Sequence, residues 1–204
     1  MNVVDKKDVL SLINNGGLSK VVLELGCGPD KRIVDSISFD LVDLPGVDVV
    51  CDLNFGFPFL ADNSVDEIHS EHFLEHVENL GALIKEIYRV LKPGGRKFIT
   101  VPHFSNPYFY SDYTHRNFFG LYSMSYFSKQ DYFRRKVPAF YNDVNFNIVS
   151  VKYRFKSRWL FPGFMNKRFG AFINKSKALQ EFYEANLTYI VPCSELIFVI
   201  QKMI

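Results

Sequence analysis

The stretch Val21-Val22-Leu23-Glu24-Leu25-Gly26-Cys27-Gly28-Pro29-Asp30 decides the fold. Val21 to Leu25 are apolar except for Glu24, the pattern of a short strand buried on both faces of a parallel sheet. The strand runs into a Gly-x-Gly turn. Gly26 and Gly28 let the backbone turn sharply and leave no Cβ between the main chain and a ligand, with Cys27 between them at the apex. A nucleotide-type site at the carboxyl end of a strand is expected there. Glu24 opposes a pyrophosphate, because its carboxylate repels phosphates, but it suits a cationic amine. The third glycine of G-x-G-x-x-G is missing, since Gly28 is followed by Pro29, Asp30 and Lys31.

The alternation continues outward from this turn. Ser36 to Leu41 reads as a second strand ending near Asp40, and Val47 to Cys51 as a third ending at Asp52. Ser64 to Ser70 is the fourth. Glu71 to Leu91 carries apolar residues at helical spacing and stops at Pro93-Gly94-Gly95. Lys97 to Val101 is the fifth strand. Upstream, Asp5 to Asn14 reads as a helix halted by Gly16-Gly17. Downstream, Phe146 to Phe155 and Glu195 to Lys202 are the last strands, and Lys156 to Asn186 is helical in part. Strands alternating with helices imply a parallel α/β sheet with right-handed crossovers. The carboxyl ends of the first four strands carry Glu24, Asp40, Asp52 and Ser70, so these polar groups converge on one crevice.

Bulk properties bound the answer. A chain of 204 residues, 48% hydrophobic, suits one sizeable core, and residues 1–204 are read as a single domain. No apolar run reaches the roughly 20 residues of a membrane span. No signal-peptide pattern is read in Met1 to Asn15. Three cysteines, Cys27, Cys51 and Cys193, lack disulfide or metal spacing, which suits a reducing cytoplasm. The net charge of +2 hides an asymmetry: residues 129–204 hold thirteen Lys/Arg and five Asp/Glu, and the remainder eleven and seventeen. An acidic first part suits a cationic cofactor. A basic, aromatic second part suits an acidic or phosphorylated acceptor or a membrane surface, and a plain solvated face is the alternative. Residues 103–145 and 156–190 read as substrate-covering insertions.

These residues resemble the class I S-adenosylmethionine-dependent methyltransferases. Leu23-Glu24-Leu25-Gly26-Cys27-Gly28 looks like their first motif, and Cys51-Asp52-Leu53 like the segment at the adenine edge. Phe73-Leu74-Glu75-His76-Val77 and Arg89-Val90-Leu91-Lys92-Pro93-Gly94-Gly95 are similar to the stretches around the fourth strand and the turn before the fifth. The likeness covers residues 20–102. Val42 to Val50 and Asp112-Tyr113-Thr114-His115 are similar to a prokaryotic subgroup of mostly unassigned substrate. The resemblance implies a Rossmann-like sheet of seven strands, mostly parallel, with the last antiparallel and inserted beside the sixth, and helices on both faces. It also implies one S-adenosylmethionine per chain and in-line methyl transfer, for which positioning and proton removal are the levers.

The cofactor-binding set expected on this basis is Glu24, Gly26, Cys27, Gly28, Asp40, Asp52, Leu53, Ser70 and His72. The short first crossover leaves Asp43 as a rival to Asp40 for the ribose. His115 and His103 are the candidate general bases, with Tyr113 and Arg116 orienting an acceptor oxygen or phosphate. Tyr108 and Tyr110 are expected as aromatic walls. His72, Glu75 and His76 form H-x-x-E-H; some ubiquinone-pathway and small-RNA methyltransferases hold a metal with a similar E-x-x-E-H. Here the first Glu is His72, and the reading favours a helix buttress and no metal. Arg154, Lys156, Arg158, Lys167 and Arg168 alternate with aromatics such as Tyr153, Phe155 and Trp159, a texture shared by base-stacking surfaces, interfacial segments, substrate lids and ordinary packing. The expected reaction is methyl transfer to oxygen of a small-molecule or carrier-linked glycan acceptor. An RNA methyltransferase and a non-catalytic cofactor-binding module are the alternatives.

Overall fold

The computed structural model describes residues 10, 11, 13–15, 17–138, 140–156 and 163–203. Its centre is a seven-stranded sheet: β1 (Val22–Leu25), β2 (Ile37–Asp40), β3 (Val49–Val50), β4 (Val65–Glu71), β5 (Leu91–Pro102), β6 (Phe146–Arg154) and β7 (Glu195–Lys202). The spatial order is β3-β2-β1-β4-β5-β7-β6. β1 to β5 pair in parallel, whereas β7 lies antiparallel between β5 and β6. This is the expected Rossmann-like order, with its strand reversal beside β1.

Period-two alternation sorts the strands into two faces. Register places Leu23, Leu25, Phe39, Ile68, Ile99, Phe198, Val151 and Tyr153 on one face, and all are buried. Helix α1 (Leu80–Val90) packs here through Leu83, Ile84, Ile87 and Val90, with Tyr88 edge-on to Phe146 at 4.9 Å. α2 (Gly163–Ile173) and α3 (Lys177–Asn186) cover β6 on the same face: Phe169 meets Phe155 at 4.9 Å, and Tyr183 meets Tyr153 at 4.7 Å.

The expected helical layer on the other face has no counterpart among these three helices. The loop 26–36 joins β1 to β2 and the loop 41–48 joins β2 to β3, with no described helix in either. Each is shorter than the dozen or so residues of a helical crossover. That face therefore carries Glu24, Glu67, His69, Glu71, Phe98 and Thr100, mostly half-buried, with His69 stacked on Phe98 at 4.4 Å.

The reading of Glu71 to Leu91 as one helix is corrected. The α-helix begins at Leu80, where the Asn79 side chain accepts from Ala82 N–H at 3.0 Å. His72 has φ +54, and Leu74–His76 is a single 3₁₀ turn ending in extended Val77. Upstream, residues 10, 11, 13 and 14 are helical; the rest of the expected first helix up to Ile13 lies outside the described residues. Pro93-Gly94-Gly95 ends no helix: β5 already begins at Leu91 and runs through it. Arg89 ties α1 to the loop before β4, donating to Phe57 and Leu60 carbonyls and pairing with Asp62 and Glu86.

Candidate functional site

A cleft of about 300 Å³ opens at the carboxyl ends of β1 to β4. Gly26, Gly28, Asp40, Leu41, Cys51, Asp52, Leu53, Asn54, His72, Phe73, His76 and Val77 line it. Gly26 and Gly28 have φ +64 and +62, a left-handed backbone that favours glycine. Their surroundings differ. A Cβ on Gly28 meets nothing within 4 Å, whereas one on Gly26 would stand 2.6 Å from Phe73 Cδ2. Gly28 is thus open to a ligand as expected, while Gly26 makes room for the Phe73 ring instead.

Asp40 and Asp52 project from the ends of β2 and β3. Asp40 accepts from Gly28 N–H at 2.9 Å through Oδ2 and from Val42 N–H at 3.1 Å through Oδ1. It locks the Gly-x-Gly turn while keeping a lone pair on each oxygen for a further donor. Asp52 caps the turn Leu53–Phe55 by accepting from Asn54 N–H at 2.9 Å. Asp43, the rival to Asp40, is exposed and is not among the cleft-lining residues. Leu41, Cys51, Asn54, Phe73, His76 and Val77 were missed in the expected set. An apolar Leu41-Val42 left exposed beyond a strand end was the available signal.

Three expected cofactor contacts lie elsewhere. Glu24 is buried on the far face, where its carboxylate accepts from Arg32 N–H, Ile33 N–H and the Ser36 hydroxyl. A strand residue adjacent to Leu25 must face away from it, so Glu24 braces the short crossover and does not reach the cleft. Cys27 is buried, its thiol donating to Gly28 C=O and its pKa pushed up by burial. Ser70 receives a hydrogen bond from Lys97 Nζ at 2.6 Å inside the sheet.

His72 does line the cleft. Its Nε2 lies 3.3 Å from Glu195 Oε1 and its Nδ1 3.2 Å from Glu75 Oε1. Those hydrogen bonds, first to Glu195 and then to Glu75, outweigh burial and lift the imidazole pKa to about 9. Lys156 and Arg154 also pair with Glu195.

The candidate bases separate. His103 is completely buried, with Nε2 2.9 Å from Glu184 Oε2 and Nδ1 2.7 Å from Ser105 Oγ. Both nitrogens are engaged away from the cleft, so the general-base expectation for His103 is replaced by a packing role. Glu184 also accepts from Tyr153 and from Leu121 N–H. Tyr113 is 96% exposed and is not among the residues that line the cleft. Tyr108 and Tyr110 are likewise exposed, and Arg116 pairs with Glu78. His115 is half-buried, its ring 4.9 Å from that of the cleft residue His76. The segment carrying it is strapped to the 3₁₀ turn. Arg116 and Asn117 N–H donate to Glu75 C=O, and the Asn117 amide donates to Leu74 and Val77 carbonyls. Arg158, Trp159 and Phe161 of the basic aromatic stretch lie outside the described residues.

Comparison with known proteins bears on this geometry. A methyltransferase-domain family model matches residues 44–99. The solved structure of a SAM-dependent methyltransferase from Archaeoglobus fulgidus superposes with a TM-score of 0.59 at 16% identity, covering 97% of this chain and 95% of that one. In fold, the chain is similar to the class I S-adenosylmethionine-dependent methyltransferases. The putative methyltransferase in complex with the Haloferax volcanii Trm112 activator has the same class I fold, with a TM-score of 0.54 at 14% identity over 98% and 94% of the two chains. In sequence, 47 residues are 45% identical to the ubiquinone/menaquinone biosynthesis C-methyltransferase UbiE of Desulfotalea psychrophila. That match spans 23% of this chain and 18% of the relative's length. No helix among the described residues is long and apolar enough to cross a membrane.

The cleft fits the cofactor this fold implies. Two carboxylates at adjacent strand ends offer acceptors for ribose hydroxyls, Leu41, Leu53 and Val77 offer apolar walls, and no Cβ closes the approach at Gly28. The volume lies at the lower end of small-molecule sites.

Proposed function

We propose that this chain transfers the methyl group of S-adenosylmethionine to an oxygen of a small-molecule or carrier-linked glycan acceptor. One observation carries the reading: Gly28, Asp40 and Asp52 meet in one cleft at the strand reversal of a class I fold. When bound, S-adenosylmethionine supplies an electrophilic methyl group. Asp40 and Asp52 hold ribose hydroxyls, and Leu41, Leu53 and Val77 exclude water from the ring. Removal of the acceptor's proton falls to the side of the cleft that carries His76, with His115 behind it, since both nitrogens of His103 are engaged.

A small acceptor is favoured over RNA by the charge arrangement. Arg154 and Lys156, two cations of the basic stretch, are paired with the buried Glu195 and so are poorly placed to track a phosphate backbone.

Calorimetry with S-adenosylhomocysteine tests the proposal. The native chain is expected to bind one equivalent. Asp40→Asn and Asp52→Asn are each expected to weaken binding about 10-fold, or about 1.4 kcal/mol, without lowering the melting temperature by more than a few degrees. Absence of binding, or full affinity in both variants, overturns it. The acceptor is then sought by following a radiolabelled methyl group into small-molecule and glycan fractions.

A further inference from the structure

Glu75 is completely buried. Its Oε1 meets His72, but its Oε2, equally buried, has no hydrogen-bond partner. A carboxylate oxygen withdrawn from water without a donor costs on the order of 1–3 kcal/mol or more, so such an atom calls for an explanation. The explanation stands beside it. A carboxylate oxygen of Glu75 and one ring nitrogen each from His76 and His115 lie within 4.8 Å of one another.

The tautomers of both histidines follow from their neighbours. His115 Nδ1 is 2.8 Å from Phe109 C=O, which can only accept, so Nδ1 carries the proton and Nε2 the lone pair. Thr114 Oγ1 donates its own proton to Asp112 Oδ1 at 2.6 Å. It therefore accepts from His76 Nδ1 at 2.9 Å, and His76 Nε2 holds the lone pair as well. A carbonyl on one imidazole and a hydroxyl backed by a carboxylate on the other are the supports that orient metal-bound histidines.

We propose that Glu75, His76 and His115 bind a divalent transition-metal ion beside the cleft, which His76 lines. Two imidazoles and one carboxylate suit zinc, iron(II), cobalt(II) or manganese(II) better than calcium or magnesium, which prefer all-oxygen shells. Asp112 Oδ2, 3.5 Å from His115 Nε2, stands near enough to be a fourth donor. Without an ion, the same contact would pair Asp112 with a protonated His115 and leave Glu75 Oε2 orphaned. The role of the ion rests on the methyl-transfer reading: its open positions take an acceptor hydroxyl and acidify it, the proton leaving to water, while the two imidazoles serve as ligands and not as bases.

The test uses the full chain stripped with a chelator and titrated with cobalt(II). One equivalent is expected to give visible d–d absorption that zinc displaces, with a higher melting temperature. His115→Ala and Glu75→Gln are each expected to weaken cobalt binding at least about 10-fold. Because Glu75 is buried and its variant can misfold, His76→Asn provides the same measurement on a less buried ligand. No absorption with the native chain, or undiminished absorption in the folded variants, overturns the proposal. S-adenosylhomocysteine calorimetry on the same stripped chain separates the two readings: binding without cobalt uptake removes the metal site alone, and cobalt uptake without cofactor binding removes the methyl-transfer reading alone.

Discussion

Gly26 and Gly28 share a left-handed backbone and differ in what a methyl group would strike. At Gly28 a side chain enters open space, so Gly28→Ala bears only the left-handed penalty of about 1–2 kcal/mol. At Gly26 the same penalty is joined by a collision with the Phe73 ring, which adds about 1–3 kcal/mol of overpacking. Gly26→Ala is therefore expected to be the less stable variant by at least about 1 kcal/mol, measured by urea unfolding. Equal unfolding midpoints would mean that Phe73 yields freely. The motif announces that glycine is needed at both positions. It does not announce that one serves packing and the other access, because Phe73 lies 47 residues further along the chain.

Within β5, Lys97 occupies a position that alternation assigns to the buried face, between Ile68 and Ile200. It is completely buried and its one described hydrogen bond is to Ser70. Burial holds its pKa well below the ordinary lysine value. The folded chain thus gives up this proton at a lower pH than the unfolded chain, which carries an ammonium up to about pH 10.4. The unfolded state binds the extra proton, so this residue makes stability rise with pH between those limits. Lys97→Met is expected to stabilise by at least about 1 kcal/mol at pH 7 and to flatten that rise, read from urea midpoints at pH 7 and 9.5. A destabilised variant would show that the amine is held by more than Ser70. Lys97 marks a limit of reading elements from pattern. It begins the expected fifth strand, yet nothing local says that its amine is buried away from water.

At the scale of the whole molecule, Glu195 joins the cleft to the basic aromatic segment. From the start of β7 it contacts His72 on one side and Arg154 and Lys156 on the other. Burial pushes its carboxyl up, but hydrogen bonds from His72 and Lys156 more than offset this and hold it at about 2, against an ordinary 4.5. A depressed carboxyl contributes stability that is present above its unfolded pKa and lost as pH falls through the folded one. A loss of about 2–3 kcal/mol is therefore expected between about pH 4.5 and 2. Glu195→Gln is expected to lose that amount at pH 6 and to show a shallower acid limb in urea unfolding. An unchanged limb would show that the ion pairs add nothing.

The first five strands, the cleft at the end of β1 and the placing of Gly28, Asp40, Asp52 and His72 at it were readable from residues 20–102, because local periodicity and strand-end residues carry that information, whereas the sheet order was only what the family resemblance implied. Side-chain partners across the fold were not. Which way Glu24 faces depends on the pleat. The loss of His103 as a base depends on Glu184, which is 81 residues away. The gathering of Glu75, His76 and His115 depends on a loop strapped down by Asn117. Contacts of that separation arise only when the chain closes on itself, so no window of sequence contains both partners.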